Sequence, residues 1–254
     1  LLMALRFLVT ALALVWFVRP PLGQIRRMAL IAFVASALQY SLTFTGLKGL
    51  DASIAALVVQ LEVPFLVIIG AVALNERPGW RKWLGIALAF AGVTQIAGTP
   101  QAISAWGSVL MVVAGAFTWA IGQAMIRKLA DIDGLTVTAW IAVLATPQLF
   151  IMSWLFERDQ LHALQTAGPV VWATVAYLGL IMNALGYGIW NTLVRRNPIS
   201  RIAPFLLLLP VFAIVGSIIL LNEQLTTGAL IGGAIVIFGV AIILTDPTSD
   251  SDNT

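Results

Sequence analysis

Ala37-Leu38-Gln39-Tyr40 recurs as Ala184-Leu185-Gly186-Tyr187, Asn75-Glu76 recurs as Asn222-Glu223, and Gly85 and Gly92 recur as Gly232 and Gly239. The offset is the same each time, since 187 − 40, 223 − 76 and 239 − 92 all equal 147. A constant offset over so long a stretch marks two copies of one unit. Five apolar stretches lie between Glu76 and Glu223. An odd number of membrane crossings turns the second copy upside down, and inverted repeats are the building plan of many secondary carriers.

Composition puts the chain in a membrane independently of the repeat. Of its 254 residues 60% are hydrophobic and 10% charged, with a mean hydropathy of +0.99. Soluble domains carry roughly 25% charged residues. Nine runs are apolar for about 20 residues, the length that spans a hydrocarbon core of roughly 30 Å. They lie at 1–18, 28–47, 52–74, 80–98, 106–126, 135–156, 170–194, 200–221 and 227–245. The runs are continuous and lack period-two alternation, which predicts an all-α bundle rather than a barrel. There is no Cys, so disulfides and thiolate metal sites are excluded. The pI near 9.7 reflects basic loops that set topology, with no implication of nucleic-acid binding.

Those loops predict an orientation. One side receives Arg19, Arg26, Arg27, Arg77, Arg81, Lys82, Arg127, Lys128, Arg195, Arg196 and Arg201, and the other only Lys48 and Arg158. The richer side is cytoplasmic by the positive-inside rule. Glu76 then lies at the cytoplasmic face, Glu223 at the opposite one, and residues 246–254 form a polar cytoplasmic tail. The partner in the repeat of the run at 106–126 would fall before residue 1. Ten spans, five per copy, are therefore expected, with the first absent from this chain. The copies are residues 1–98 and 106–245. Leu1–Val18 has no charged leader and ends in a basic loop, so it reads as a span and not as a signal peptide.

Polar residues inside the runs are the candidates for function. Glu62 lies 14 residues before Glu76, about 21 Å along a helix at 1.5 Å per residue. A carboxylate at that depth is expensive unless it is paired, protonated or turned to a polar interior. The repeat places Leu209 opposite Glu62 and Leu207 opposite Gln60, so neither polar residue belongs to the shared scaffold. Glu62 is expected to contact a substrate amine or couple protons, or else to pair with Arg6, which lies about 20 Å from the same face. Asn183, Tyr187, Trp190 and Asn191 follow i, i+4, i+7 and i+8, a single α-helical face. That stripe either lines a cavity or bonds helices together, with Gly179, Gly186 and Gly188 favouring close packing. Trp119 with Gln123, and Gln39 with Tyr40 and Thr43, give similar sets. Pro64, Pro147, Pro204 and Pro210 lie inside runs, where a proline frees a carbonyl and either breaks or kinks its helix. Of these, Pro64, Pro204 and Pro210 are the expected helix breaks, Pro64 being two residues from Glu62. The duplicated Glu76 and Glu223 fit helix-end or gating contacts.

Other functional classes find little support. The sole histidine, His162, sits in an expected loop beside Glu157 and Asp159, a poor metal set. Asp131 and Asp133 fall beside Arg127 and Lys128, in a solvated loop. No glycine-rich phosphate loop follows a strand. Neither an enzyme nor a cofactor is expected. A channel or a noncatalytic membrane scaffold remains as a remote alternative.

Several stretches together resemble a known family. They are Leu5-Arg6-Phe7, Ala52 through Pro64 to Asn75-Glu76-Arg77, Ala114-Gly115-Ala116-Phe117-Thr118-Trp119-Ala120, Gly186-Tyr187-Gly188-Ile189-Trp190, Arg201-Ile202-Ala203-Pro204, Pro210 and Asn222-Glu223. The chain resembles the EamA-type transporters of the drug/metabolite transporter superfamily over nearly its whole length, and its last third is most similar to bacterial exporters of O-acetylserine and cysteine. The resemblance implies a multi-pass protein of the bacterial inner membrane that exports a small polar metabolite, an amino acid or derivative, by alternating access. Import or facilitated movement of another metabolite or a drug is the nearest rival. The expected partners are the lipid bilayer and a small-molecule substrate, with proton coupling resting on Glu62 and a monomer as the default.

Overall fold

The computed structural model describes residues 1–73, 78–99, 105–129, 132–187, 189, 208–221 and 226–245. Among these there is no strand. In chain order the helices are α1 (Leu2–Leu14, closed by a 3-10 turn at Val15–Phe17), α2 (Leu22–Leu47), α3 (Ala52–Val59) and α4 (Glu62–Ala73). They continue as α5 (Trp80–Ala97), α6 (Trp106–Arg127), α7 (Gly134–Phe156), α8 (Gln160–Thr166), α9 (Pro169–Gly186), α10 (Leu208–Leu221) and α11 (Thr227–Thr245). Each of the nine apolar runs contains helix among its described residues. Among the described residues, α2, α3 with α4, α6, α7, α9 and α11 are long and apolar enough to cross a bilayer, and Leu2–Phe17 is a shorter apolar helix. The protein is a polytopic membrane helix bundle.

The stretch around His162, expected as a loop, is the short helix α8. Asp159 turns the chain into it with φ 60°, and Gln160 folds back so that its Nε2 donates to the Ser153 and Glu157 carbonyls at 2.8 and 3.0 Å. His162 itself is exposed.

Two compact units divide the helices. Unit 1 is Leu1–Ser41 with Met125–Arg196, and unit 2 is Leu42–Ala124 with Asn197–Thr254. Each unit therefore draws on both copies of the repeat. In unit 1, α1, α2 and α7 bury Phe7, Met28, Ile31, Ile141, Ala142 and Leu149 together. Asp133 caps α7 by accepting from the Leu135 amide at 3.1 Å. Pro147 sits inside α7, which nonetheless runs unbroken from Gly134 to Phe156.

In unit 2, α3, α5 and α11 pack Leu57, Val58, Val93, Ile96, Val236 and Val240 into one core. Glycine decides how closely α5 and α11 approach. A Cβ on Gly85 would come within 2.5 Å of the Gly239 carbonyl, and one on Gly92 within 2.6 Å of the Gly232 carbonyl. The contacts run Gly85 to Gly239 and Gly92 to Gly232, in opposite chain order, so the two helices are antiparallel. These are the glycines that the repeat duplicates. The two helices that carry the repeated glycines thus run in opposite directions.

Candidate functional site

In unit 2 the helix that carries Glu62 is interrupted beside it. Helix α3 ends at Val59, Gln60 and Leu61 form a turn, and α4 restarts at Glu62. The local hydrogen bonds tighten to i→i−3: Gln60 N to Leu57 O at 3.2 Å, Leu61 N to Val58 O at 3.1 Å and Val63 N to Gln60 O at 3.2 Å. Pro64 supplies the cause. It has no N–H to give to the Gln60 carbonyl, and its ring crowds that carbonyl out of an α-helical position. Pro147 in α7 leaves its helix whole, so the same residue type has different outcomes in the two spans.

Glu62 and Gln60 are half-buried while Leu61 between them is buried. The Glu62 carboxylate forms no ion pair or hydrogen bond with another described residue of unit 2. One turn on, Phe65 packs edge-on against Phe90 at 5.4 Å and Phe117 at 5.2 Å between ring centroids. Trp119 and Gln123 lie on α6 within the same unit, both half-buried.

In unit 1 a second polar set surrounds Arg6. Its guanidinium donates from Nη2 to Oδ1 of Asn183, which is 3% exposed. It also lies 5.4 Å from the centroid of the Tyr40 ring and 5.9 Å from that of Phe7. Phe7 and Tyr40 meet edge-on at 5.5 Å, and Gln39 is buried beside them in sequence. Thr10, one turn after Arg6, donates to the Gly179 carbonyl at 2.9 Å. Gly179 makes this meeting of α1 with α9 possible, because a Cβ there would sit 2.7 Å from Cβ of Val9 and 2.9 Å from the Arg6 carbonyl.

Both helices that supply these partners contain a widened turn. Phe33–Leu38 within α2 is a π-helix, and so is Tyr177–Tyr187 at the end of α9. Shifting the first by the repeat offset places it at 180–185, inside the second. Each π-segment overlaps the tetrapeptide that betrayed the repeat, Ala37-Leu38-Gln39-Tyr40 or Ala184-Leu185-Gly186-Tyr187. The i, i+4 spacing of Asn183 and Tyr187 therefore belongs to a turn wider than the 3.6-residue period assumes. Within the second wide turn the Gly179 carbonyl also accepts the Thr10 hydroxyl across the helix contact.

Of the residues singled out from sequence, Arg6, Gln39, Tyr40 and Asn183 fall in unit 1, whereas Gln60, Glu62, Pro64, Trp119 and Gln123 fall in unit 2. Trp190, Asn191, Pro204 and the Asn75-Glu76 and Asn222-Glu223 pairs lie outside the described residues, as do the side chains of Tyr187 and Pro210. Sequence reasoning missed Thr10 and the place of Gly179 opposite it. A threonine four residues after an intramembrane arginine was the available signal.

Known proteins resemble this chain. The model of the EamA-like transporter family matches residues 1–98 and 106–245. A probable amino-acid metabolite efflux pump of Escherichia coli (strain K12) is 28% identical over 95% of this chain and 84% of its own length. Its namesake in Salmonella typhimurium is 30% identical with the same coverage. A probable terminal-alkyne amino-acid exporter of Streptantibioticus cattleyicolor is 30% identical over 89% of this chain and 75% of its own. A solved crystal structure shares the fold with a TM-score of 0.66 at 18% identity, covering 99% of this chain and 88% of that one. The chain is a transporter rather than an enzyme, and it belongs to the EamA-like transporter family of the drug/metabolite transporter superfamily.

Proposed function

We propose that this protein is a secondary transporter of the bacterial inner membrane that exports an amino acid or a close derivative, such as cysteine or O-acetylserine, by alternating access. The observation that carries the proposal is Glu62. It is a half-buried carboxylate inside a membrane-crossing stretch, set at a helix interruption, with no partner among the described residues of unit 2. Transporter sites are typically built at discontinuous helices near the midplane, where ionisable groups persist because they handle substrate or protons. Glu62 is unmatched in the other copy, where Leu209 takes its place, so the scaffold does not require it. The names of three relatives point to amino-acid export, which supports the substrate class.

Glu62 would receive the substrate amine, or exchange a proton during the cycle, with Gln60, Trp119 and Gln123 as further binding candidates in unit 2. Tyr187, Trp190 and Asn191 extend the proposal on the polar stripe, and the loop charges support a cytoplasmic C-terminus. The test is counterflow of labelled cysteine, O-acetylserine and a wider amino-acid panel into liposomes at two pH values. Saturable exchange is expected for one amino-acid class, and Glu62→Gln should reduce it by about tenfold or more and flatten its response to pH. Unchanged exchange and unchanged pH response in that variant would remove Glu62 from the mechanism.

A further inference from the structure

Arg6 is a permanent positive charge within the apolar stretch Leu2–Phe17. Its five N–H donors meet few acceptors. Nη2 reaches Oδ1 of Asn183, Nη1 reaches only the thioether sulfur of Met3 at 3.7 Å, and Nε is buried with no acceptor at all. A thioether is a weak acceptor, so among the described residues one oxygen serves the whole guanidinium. The described groups of unit 1 that meet it are uncharged: an amide, a thioether and the faces of Tyr40 and Phe7. The described carboxylates of unit 1 are Asp133, Glu157 and Asp159, all at helix ends, and none is paired with Arg6. A buried Nε left without an acceptor calls for one, and a half-buried cation inside an apolar stretch calls for an anion.

We propose that Arg6 docks the carboxylate of the transported amino acid. Asn183 and the two aromatic faces hold the guanidinium plane in position, while Nε–H and the Nη2 hydrogen that Asn183 leaves free supply the bonds to the carboxylate oxygens. A planar fork binds a carboxylate through two parallel charge-assisted bonds, which a lysine cannot reproduce. The proposal rests on the amino-acid reading above and names the group by which such a substrate is held. Thr10 and Gly179 act behind it as positioning residues. They keep α1 against the π-segment so that Asn183 stays within reach of Arg6.

The experiment is inhibition of counterflow in liposomes of the full-length protein, with cysteine, O-acetylserine and phenylalanine each compared with its methyl ester. For the wild type, loss of the carboxylate charge should weaken inhibition by about tenfold or more. In Arg6→Gln the free acid and the ester should become equal, because the group that tells them apart is gone. In Arg6→Lys, which retains the charge and is the fallback if the glutamine variant does not fold, KM should rise while the maximal rate changes less. A folded Arg6→Gln or Arg6→Lys protein that keeps the wild-type preference for the free acid overturns the assignment of Arg6 and leaves amino-acid transport standing. A wild type that exchanges the esters as readily as the acids also overturns it. Absence of exchange across the wild-type panel is a different failure, that of the amino-acid reading itself, and it takes the carboxylate assignment with it.

Discussion

At the scale of single residues, the chemistry of this chain comes down to where polar groups are tolerated inside apolar helices. Asn183 is 3% exposed and Thr10 only 1%, yet both have partners, Arg6 for the first and the Gly179 carbonyl for the second. Thr10→Val keeps the shape of the side chain and removes the donor. It should destabilise the folded protein by about 1 kcal/mol, since hydrogen bonds between membrane helices are individually modest. Thermal unfolding in detergent reads that loss, and an unchanged midpoint would mean that the Gly179 carbonyl finds another donor. The identities of Arg6, Asn183 and Glu62 as unusual residues were legible in the sequence, because charge or amide inside an apolar run is visible without coordinates. Their immediate company was not. An expected partner such as Glu62 for Arg6 follows from depth alone, whereas Asn183 reaches Arg6 only because Gly179 lets two backbones come close.

At the scale of helices, glycine and proline set the departures from regularity. The duplicated glycines Gly85, Gly92, Gly232 and Gly239 lie where α5 and α11 touch backbone to backbone, and any side chain there has nowhere to go. Gly92→Leu should therefore destabilise by about 1–3 kcal/mol or prevent assembly, as overpacking of a tight contact does. Gly216→Ala in α10 is the matched control, because a Cβ there meets nothing within 4 Å, and removing a helical glycine stabilises by roughly 0.5–1 kcal/mol. Equal loss of folded yield in both variants would sink the packing account. Proline is less uniform. Pro64 accompanies a break at Gln60 and Leu61, while Pro147 is absorbed in a continuous α7. The two π-segments had no sequence rule to announce them. They became recognisable only when the helices were seen, although they overlap the repeated tetrapeptides that first attracted notice.

At the scale of the whole molecule, the apolar surface is what marks the solvent. Trp16, Phe17, Trp80, Trp154 and Phe156 are among the most exposed large side chains, and all lie at or near helix ends, where aromatic residues mark the lipid–water boundary. Such exposure would be a liability in water and is ordinary in a bilayer. The loop charges then predict which end faces the cytoplasm. The protein has no cysteine, so single cysteines can be introduced without first removing any. Cysteines at Lys48 and Arg158 should react with a membrane-impermeant maleimide added to intact cells, and cysteines at Arg81 and Lys128 only after the membrane is opened. The reverse pattern would invert the predicted topology.

The sequence by itself determined the class of solvent, the all-helical architecture and the family. Those properties depend on runs of apolar residues, on loop charge and on spacing, all of which are written along one dimension. Tertiary structure decided the rest: the antiparallel glycine contact of α5 with α11, the widened turns in α2 and α9, and the meeting of Arg6 with Asn183, Tyr40 and Phe7 within unit 1. Those depend on how closely two backbones approach and on which freed carbonyl or amide then finds a donor. That choice is made between helices distant in the chain, where no spacing rule reaches.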